Sequence, residues 1–313
     1  MEKIPIGITA RNEAANIRNL FASLRASARG PNYEFHLLLN DNTDNTAELI
    51  ADEPDVTIWH TYGGLIEAQR TLINARPDAP FVIFTDADIL IHPETIGEIT
   101  AVMLDNSNVE IAYAEKYPLP PLSRSPLAKA LYFYNLREGY QTKRTYCNGQ
   151  CFAIRHWNIP TPDELSWDPK ADNPFLNLSA GIRTDDIFLS RDLLRRAGPE
   201  VFRCTPSGIQ YRPPETLQGM FRKYQRMRLE IERLNHFFPG TKTYGRKLNR
   251  STLSAAPLSE KFYYGLFQSA LALCKLAYHA QRLYYTHIAK TPCPTWLPVR
   301  ETKQPCSSTT TQI

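Results

Sequence analysis

The 313-residue sequence contains no apolar run long enough to cross a membrane as a helix, because the longest candidate, 262–274, includes Gln268 and ends before Lys275. The net charge of +4 is small and gives no indication of a nucleic-acid partner. Six cysteines are scattered without zinc-finger spacing, so we expect reduced thiols. No charged and apolar leader precedes the strand-like start at Lys3, so we expect no signal peptide and a cytoplasmic protein.

Short strand-like runs alternate with helical patterns through the first 115 residues. In 14–25, for example, apolar residues recur at positions 17, 20, 21 and 24, which is a helical spacing. The pattern predicts strands at 4–9, 34–39, 56–59, 81–85 and 109–114, and helices at 14–25, 46–51, 64–75 and 93–104. This alternation predicts an α/β fold with a doubly wound, mostly parallel sheet flanked by helices.

Two carboxylates, Asp86 and Asp88, stand at the end of the most apolar of these strands. Open α/β sheets bind ligands outside the carboxyl ends of their strands. Residues i and i+2 of an extended segment point the same way, so both carboxylates can converge on one cation. Hard oxygen ligands of this kind suit Mg²⁺ or Mn²⁺. The alternative is a solvated turn that caps the following helix.

Polar side chains gather at the ends of three predicted strands. This concentration at one edge of a parallel sheet predicts a ligand crevice there. The residues are Asn12 and Glu13, then Asp41 and Asp44, then Asp86 and Asp88.

Four prolines at 118–126 interrupt regular structure, so we predict an internal boundary at 117–126. Beyond it we expect a helix at 127–142, a strand at 148–155, a long mobile loop at 158–181 and a helix from 184 to 194. Asp185 and Asp186 occupy the first turn of that last helix. Acidic side chains there stabilise a helix through its dipole, which is the alternative to a functional role.

The segment 212–250 is basic, with ten Lys or Arg residues against three Glu. It is either a solvated face or a source of positive charge for a diphosphate. The tyrosine-rich stretch 258–286 is an amphipathic helix that either packs on the body or lies on a bilayer surface. We expect the tail 291–313, which is rich in Pro, Ser and Thr, to be disordered.

Taken in order over about residues 3–230, these segments resemble the family 2 glycosyltransferases of the GT-A fold. Seven segments carry the resemblance: the Asn-Glu signature in 8–17, the nucleoside motif at 40–46, the glycine-led helix at 64–74, the Asp-x-Asp at 86–88, the acceptor-side strand at 148–155, the acid pair at 185–186, and a Gln-x-x-Arg motif at 225–229. Leu229 stands where polymerising members have Trp, and with no transmembrane helix this favours a non-processive enzyme.

The resemblance implies inverting transfer of a sugar from a nucleotide diphosphate sugar, with UDP favoured, to an acceptor hydroxyl, with Mn²⁺ or Mg²⁺. The acceptor is a glycan, a lipid-linked molecule or a small molecule. The metal residues would be Asp88 and Asp86, and the catalytic base Asp186, with Asp185 as the alternative. Donor-binding residues would be Thr9, Ala10, Asn12, Glu13, Asp41, Arg70, Asp86, Ala87, Gln225 and Arg228.

These expectations divide the chain into a nucleotide-sugar-binding half (1–117), an acceptor-binding and catalytic half (118–235), a helical extension (236–290) and the tail. Two alternatives to the transferase remain. A nucleotidyltransferase would need a glycine-rich phosphate loop after the first strand, and residues 9–12 are not one. A non-catalytic nucleotide-sugar-binding protein would keep the fold without turnover. Contact through 258–286 would place the protein at the inner face of a membrane.

Overall fold

The structure is a computed structural model that describes residues 3–29, 32–136, 141–142, 146–244, 247–248, 257–294 and 303–304. The tail predicted to be disordered therefore falls outside the described residues except at 291–294 and 303–304. Parts of the predicted helix 127–142 and of the basic segment 212–250 also lie outside them.

Eight strands form one mixed, mostly parallel sheet, in the order β3-β2-β1-β4-β8-β6-β9-β5. Strands β3, β2, β1 and β4 run parallel, as do β6 and β9, whereas β8 and the edge strand β5 pair antiparallel to their neighbours. The strands of this sheet are β1 Ile4–Ala10, β2 Tyr33–Asn40, β3 Val56–Thr61, β4 Val82–Asp86, β5 Ile89–Ile91, β6 Ile111–Pro118, β8 Cys151–Ile154 and β9 Phe202–Tyr211. A separate pair joins β7 Gln141–Thr142 to β10 Lys247–Leu248.

Helices cover both faces of the sheet, which confirms the doubly wound α/β prediction. The helices are α1 Ile17–Ser27, α2 Leu65–Ala75, α3 Thr95–Asp105, α4 Pro126–Leu136, α5 Asp185–Arg196, α6 Leu217–Phe237 and α7 Leu258–Leu283. One core cluster packs α1 and α3 on the sheet through residues such as Leu20 and Ile99. The other packs α2, α5 and α6 on the opposite face, through Leu72, Leu189 and Leu229.

The helix predicted at 46–51 does not form, and these residues make turns instead. Asp44 accepts hydrogen bonds from the backbone N–H of Thr46, at 3.0 Å, and from that of Ala14, at 3.1 Å. Such local side-chain bonds compete with helical hydrogen bonding, and a six-residue segment has little helical propensity to oppose them.

The loop 158–181 is packed against the body along much of its length. It contains three short 3-10 turns, at Pro162–Glu164, Pro169–Ala171 and Leu178–Ala180. Phe175 and Leu176 are fully buried in the core cluster on the α5 and α6 side. The segment predicted to be a mobile loop is therefore irregular, as expected, but it is packed against the body.

Helix α7 packs one of its faces on the body, against α4 and α6. The Tyr134 and Phe267 rings stack at a centroid distance of 3.7 Å, and Phe133 stacks on Tyr263 at 4.9 Å. One face of the predicted amphipathic helix therefore packs on the body. None of the helices in the described part of the chain combines the length and apolarity needed to span a membrane.

Candidate active site

A cavity of about 1320 Å³ opens at the carboxyl ends of β1, β2 and β4 and extends to the start of α5. Its location is the one expected for ligands of an open α/β sheet. The predicted site residues that line it are Thr9, Ala10, Glu13, Asp41, Asp86, Ala87, Asp88, Asp185 and Asp186. The fold therefore brings together residues that lie up to 177 positions apart in the chain.

Four predicted site residues lie elsewhere. Asn12 fixes the neighbouring loop, since its side-chain oxygen accepts the Thr43 N–H at 2.8 Å. Gln225 is buried and donates to Gln281 at 2.8 Å. The other two are Arg70, which contacts Glu67 and lies over the ring of Trp157, and Arg228, which pairs with Glu232 at 3.1 Å on the exposed side of α6.

The strand-end loops beside β1 and β2 form one end of the cavity. Asn12 and Asp41 adopt left-handed backbone conformations, with φ of 57° and 47°, which Asn and Asp tolerate better than most residues. The Glu13 N–H donates to Thr46 Oγ1 at 2.9 Å, so the two loops are joined directly. Lys303, from the far end of the chain, forms an ion pair with the Glu13 carboxylate in this part of the cavity.

Asp86, Ala87 and Asp88 all line the cavity, but the two Asp side chains are partly exposed, whereas Ala87 between them is buried. This alternation is the one predicted from the extended spacing. Burial and the adjacent Asp88 carboxylate raise the pKa of Asp86 well above its usual value. Burial also raises the pKa of Asp88 to about 6, against the opposing effect of the Arg226 guanidinium.

The pair of carboxylates suits a divalent cation, because a cation would relieve the repulsion between two ionised, desolvated groups. Within the described residues, no group of three or more His, Cys, Asp or Glu side chains is arranged to hold a metal ion. Two carboxylates alone match Mg²⁺-type sites, where substrate phosphates and waters complete the coordination.

The second acid pair stands at the N-terminus of α5. Asp185 is buried, whereas Asp186 is partly exposed to the cavity. Burial, followed by the neighbouring Asp186 carboxylate, raises the pKa of Asp185 to about 7. Gln69 of α2 opposes this rise, because its side-chain N–H donates to Asp185 Oδ2 at 2.6 Å.

Gly149 allows the chain before β8 to approach this acid pair closely. A Cβ atom at position 149 would lie 2.9 Å from Asp186 Cβ and 3.2 Å from its Cγ. Both distances are shorter than ordinary carbon contacts, so a larger residue would displace the Asp186 side chain. The predicted glycine turn before the strand thus has a specific steric role.

Positive charge enters the cavity from α6 through Lys223 and Arg226. These positions are three apart and share one helix face, whereas Gln225 and Arg228 point elsewhere. Lys223 Nζ lies 5.8 Å from the centroid of the Tyr211 ring, and Lys116 Nζ lies 5.5 Å from it. The Gln-x-x-Arg motif therefore pointed to the helix that lines the cavity, but the residues of α6 that reach the cavity are Lys223 and Arg226 and not Gln225 or Arg228. No motif marked Lys223 or Arg226, because basic residues occur on several faces of this helix.

Residues 6–158 match the family model described as Glycosyl transferase family 2. No curated protein matches the sequence. Among solved structures, glucosyl-3-phosphoglycerate synthase from Mycobacterium tuberculosis, in complex with Mn²⁺, UDP-glucose and phosphoglyceric acid, is 18% identical, with coverage of 79% of this chain and 86% of that chain and a TM-score of 0.48. A structure described as a mycobacterial protein is 19% identical, with coverage of 75% and 74% and a TM-score of 0.49.

The family match covers β1, β2, β3 and β4, the Asp86 and Asp88 pair and strand β8. The mostly parallel sheet and the cavity at its strand ends agree with the α/β fold that the motif order implied. Residues 6–158, just under half of the 313-residue chain, are therefore similar to glycosyl transferase family 2, and they lie in the α/β sheet flanked by helices that the resemblance to GT-A glycosyltransferases implied.

Proposed function

We propose that this protein is a glycosyltransferase that moves a sugar from a nucleotide diphosphate sugar to an acceptor hydroxyl, with inversion at the anomeric carbon and dependence on Mn²⁺ or Mg²⁺. The observation that carries the proposal is that two acid pairs in different settings face one cavity. Asp86 and Asp88 end a strand beside the cations of α6, and Asp185 and Asp186 begin a helix. Such a division suits a charge-binding role for one pair and a proton-accepting role for the other.

The donor would occupy the end of the cavity formed by β1 and β2. Thr9, Ala10, Glu13 and Asp41 line that end and offer hydroxyl, backbone and carboxylate groups to a base and ribose. The diphosphate would lie between the Asp86 and Asp88 pair and the α6 cations. A divalent ion held by that pair would neutralise charge on the leaving diphosphate. UDP-sugars are the first donors to test.

Asp186 would accept the proton of the acceptor hydroxyl as its oxygen attacks the anomeric carbon. The new carbon–oxygen bond forms as the bond from the anomeric carbon to the diphosphate breaks, and the electron pair leaves with the nucleoside diphosphate. Arg226 and Lys223 would stabilise the negative charge that grows on this leaving group. Asp185, which is buried and held by Gln69, is the alternative base.

The acceptor would be a glycan, a lipid-linked molecule or a small molecule, and transfer would be non-processive. The division into a donor half (1–117), an acceptor half (118–235), a helical extension (236–290) and a tail remains part of the proposal. So does a cytoplasmic location, with contact at the inner face of a membrane through 258–286.

A thermal-shift panel of UDP-, GDP- and dTDP-sugars, each with and without Mn²⁺, tests donor binding. A ligand at one hundred times its dissociation constant stabilises the folded state by about 2.7 kcal/mol. We expect one nucleotide class to raise the melting temperature and to do so more strongly with Mn²⁺. A panel without any shift would contradict the proposal.

Turnover is tested by measuring release of nucleoside diphosphate from the donor identified in the panel. We expect Asp186→Asn to reduce turnover by about 10²- to 10⁴-fold while donor binding persists. Asp52→Asn, at an exposed site outside the cavity, is the matched control. Donor binding without any turnover would favour a binding protein, and release of pyrophosphate would indicate a nucleotidyltransferase.

A further inference from the structure

Helix α7 carries a second apolar face on the side that points away from the body. At about 100° per residue, five exposed apolar positions fall within roughly 80° of one another around the helix axis. They are Leu258, Phe262, Leu273, Leu276 and Leu283, with exposed fractions of 84%, 64%, 55%, 68% and 62%, and they define the outer face. The buried residues of the same helix, such as Phe267 and Cys274, lie on the opposite side.

Beyond Glu260 in its first turn, the charged residues of this helix are all basic. Between residues 261 and 290 the sequence contains no Asp or Glu. On the helical projection, Lys261, Lys275, His279 and Arg282 lie along one flank of the outer face, and all four are exposed. Arg282 also reaches Glu232 of α6 at 3.3 Å, so part of this flank is tied to the body.

An apolar stripe bordered by basic residues matches a bilayer surface that contains anionic lipid. The apolar side chains gain free energy by entering the region between headgroups and acyl chains, and the basic flank is attracted to the lipid phosphates. A second copy of the chain fits less well, because its identical face would bring another basic flank and no acidic partner. At 26 residues, the helix is about 39 Å long and would lie flat along the surface.

We infer that the outer face of α7 docks the protein on a bilayer that contains anionic lipid. The docking itself does not depend on the proposed sugar transfer. Its consequence for the acceptor does rest on the proposed function. Tyr134 of α4, which stacks on Phe267 of α7, also lines the cavity, so the acceptor side of the cavity is one helix layer from this surface. An acceptor hydroxyl carried by a lipid headgroup would then be within reach.

Sedimentation of the full chain with vesicles tests the docking. One set of vesicles is phosphatidylcholine alone, and the other is equal parts of phosphatidylcholine and phosphatidylglycerol. We expect binding to the mixed vesicles that weakens as salt is raised, since salt screens the basic flank. Absence of binding to the mixed vesicles would overturn the inference.

Substitutions on the outer face locate the contact. We expect Leu276→Glu to weaken vesicle binding by about tenfold or more, because a leucine loses its apolar burial and an acid faces the lipid phosphates. Leu104→Glu on α3 is the matched control, since Leu104 is also exposed (52%) but lies on another helix. Equal binding by both variants would overturn the inference, as would a dimer in solution that Leu276→Glu converts to a monomer without vesicle affinity.

The outcome is separable from that of the proposed function. Nucleotide-sugar thermal shifts are measured without lipid and report on the cavity alone. Melting curves of Leu276→Glu and Leu104→Glu confirm that both variants fold. If the protein binds mixed vesicles but no nucleotide sugar shifts its melting temperature, the docking surface stands and the proposed donor binding is wrong. If a nucleotide sugar shifts the melting temperature but the protein does not bind vesicles, the donor site stands and the docking surface is wrong.

Discussion

The side-chain N–H of Gln69 donates a hydrogen bond to Asp185 at 2.6 Å, within the buried contact between α2 and α5. The indole N–H of Trp157 donates to the oxygen of the same Gln69 amide at 3.2 Å. Because the amide oxygen is engaged by this donor, its nitrogen is the atom that faces Asp185. Trp157 therefore fixes the amide in the orientation that favours an ionised Asp185.

Replacing Gln69 with Leu should shift the pH dependence of transfer. The pKa of Asp185 is raised to about 7 chiefly by burial, and the Gln69 hydrogen bond lowers it. Without that donor the pKa rises further, so a higher pH is needed to ionise the carboxyl. If transfer requires the ionised acid pair, the acidic limb of kcat/KM should move to higher pH, as pH–rate profiles measure.

Two further variants test whether the shift comes from the Gln69 hydrogen bond to Asp185. Trp157→Phe keeps a ring beneath the Arg70 guanidinium, 5.2 Å from the indole, but removes the donor to Gln69, so we expect a smaller shift in the same direction. Gln218→Leu, at an exposed position of α6, should leave the profile unchanged. An unshifted profile in Gln69→Leu would show that the hydrogen bond does not act on the reaction.

The two arginines Arg226 and Arg228 should differ in their effect on donor binding. Arg226 lines the cavity and acts electrostatically on both Asp86 and Asp88. We expect Arg226→Ala to weaken binding of the nucleoside diphosphate by about 10- to 100-fold, the usual range for a lost charge-assisted hydrogen bond. Arg228→Ala should have little effect, because that side chain pairs with Glu232 outside the cavity. Calorimetric titration measures the dissociation constant of the nucleoside diphosphate for each variant. A larger loss of affinity in Arg228→Ala than in Arg226→Ala would support the donor-binding role that the Gln-x-x-Arg motif implied for Arg228.

Gly149→Ala should reduce transfer by about 100-fold, because the added methyl group displaces the Asp186 side chain from its position beside the cavity. The matched variant is Gly97→Ala on α3, where a Cβ atom meets nothing within 4 Å. That change should leave activity intact and stabilise the helix by up to about 1 kcal/mol. Comparable activity in the two variants would contradict the steric role of Gly149.

Asp88→Asn should stabilise the metal-free protein at pH 8 and not at pH 4. The pKa of Asp88 rises on folding from 3.8 to about 6, so the folded state binds more protons than the unfolded state between these values. The free energy of unfolding therefore falls as the pH rises through this window, and the Asn variant avoids this loss, which is about 3 kcal/mol. Denaturant melts in the presence of a chelator measure the difference. A gain that is the same at both pH values would contradict the ionisation argument.

The sequence predicted the first half of the sheet well because its strands are continuous apolar runs. Strands β1, β2 and β4 begin and end within a few residues of the predicted bounds. Since parallel strands deliver their carboxyl ends to one edge, the positions of Asp41, Asp86 and Asp88 followed from the topology alone. Periodicity in 14–25 likewise identified the buried side of α1.

What the sequence could not show depends on contacts between distant segments. The direction of β8 is decided by its pairing with β4 and β6, which single-strand periodicity does not reveal. The orientation of Gln69 depends on Trp157, 88 positions away. In α6 the basic residues are so dense that only packing decides whether Arg226 or Arg228 faces the cavity.

Strand β8 has a consequence for how such a protein could be re-engineered. It follows the predicted boundary at 117–126, yet it pairs with β4 and β6, which precede that boundary or reach into it. The Asp86 N–H also donates to the Gln150 carbonyl at 2.9 Å, so the strand that carries the acid pair is fastened to the segment before β8. A chimera that exchanged everything after residue 118 would have to supply a strand of matching register. A chimera that exchanged only loops or helix faces would keep the pairing of β8 with β4 and β6.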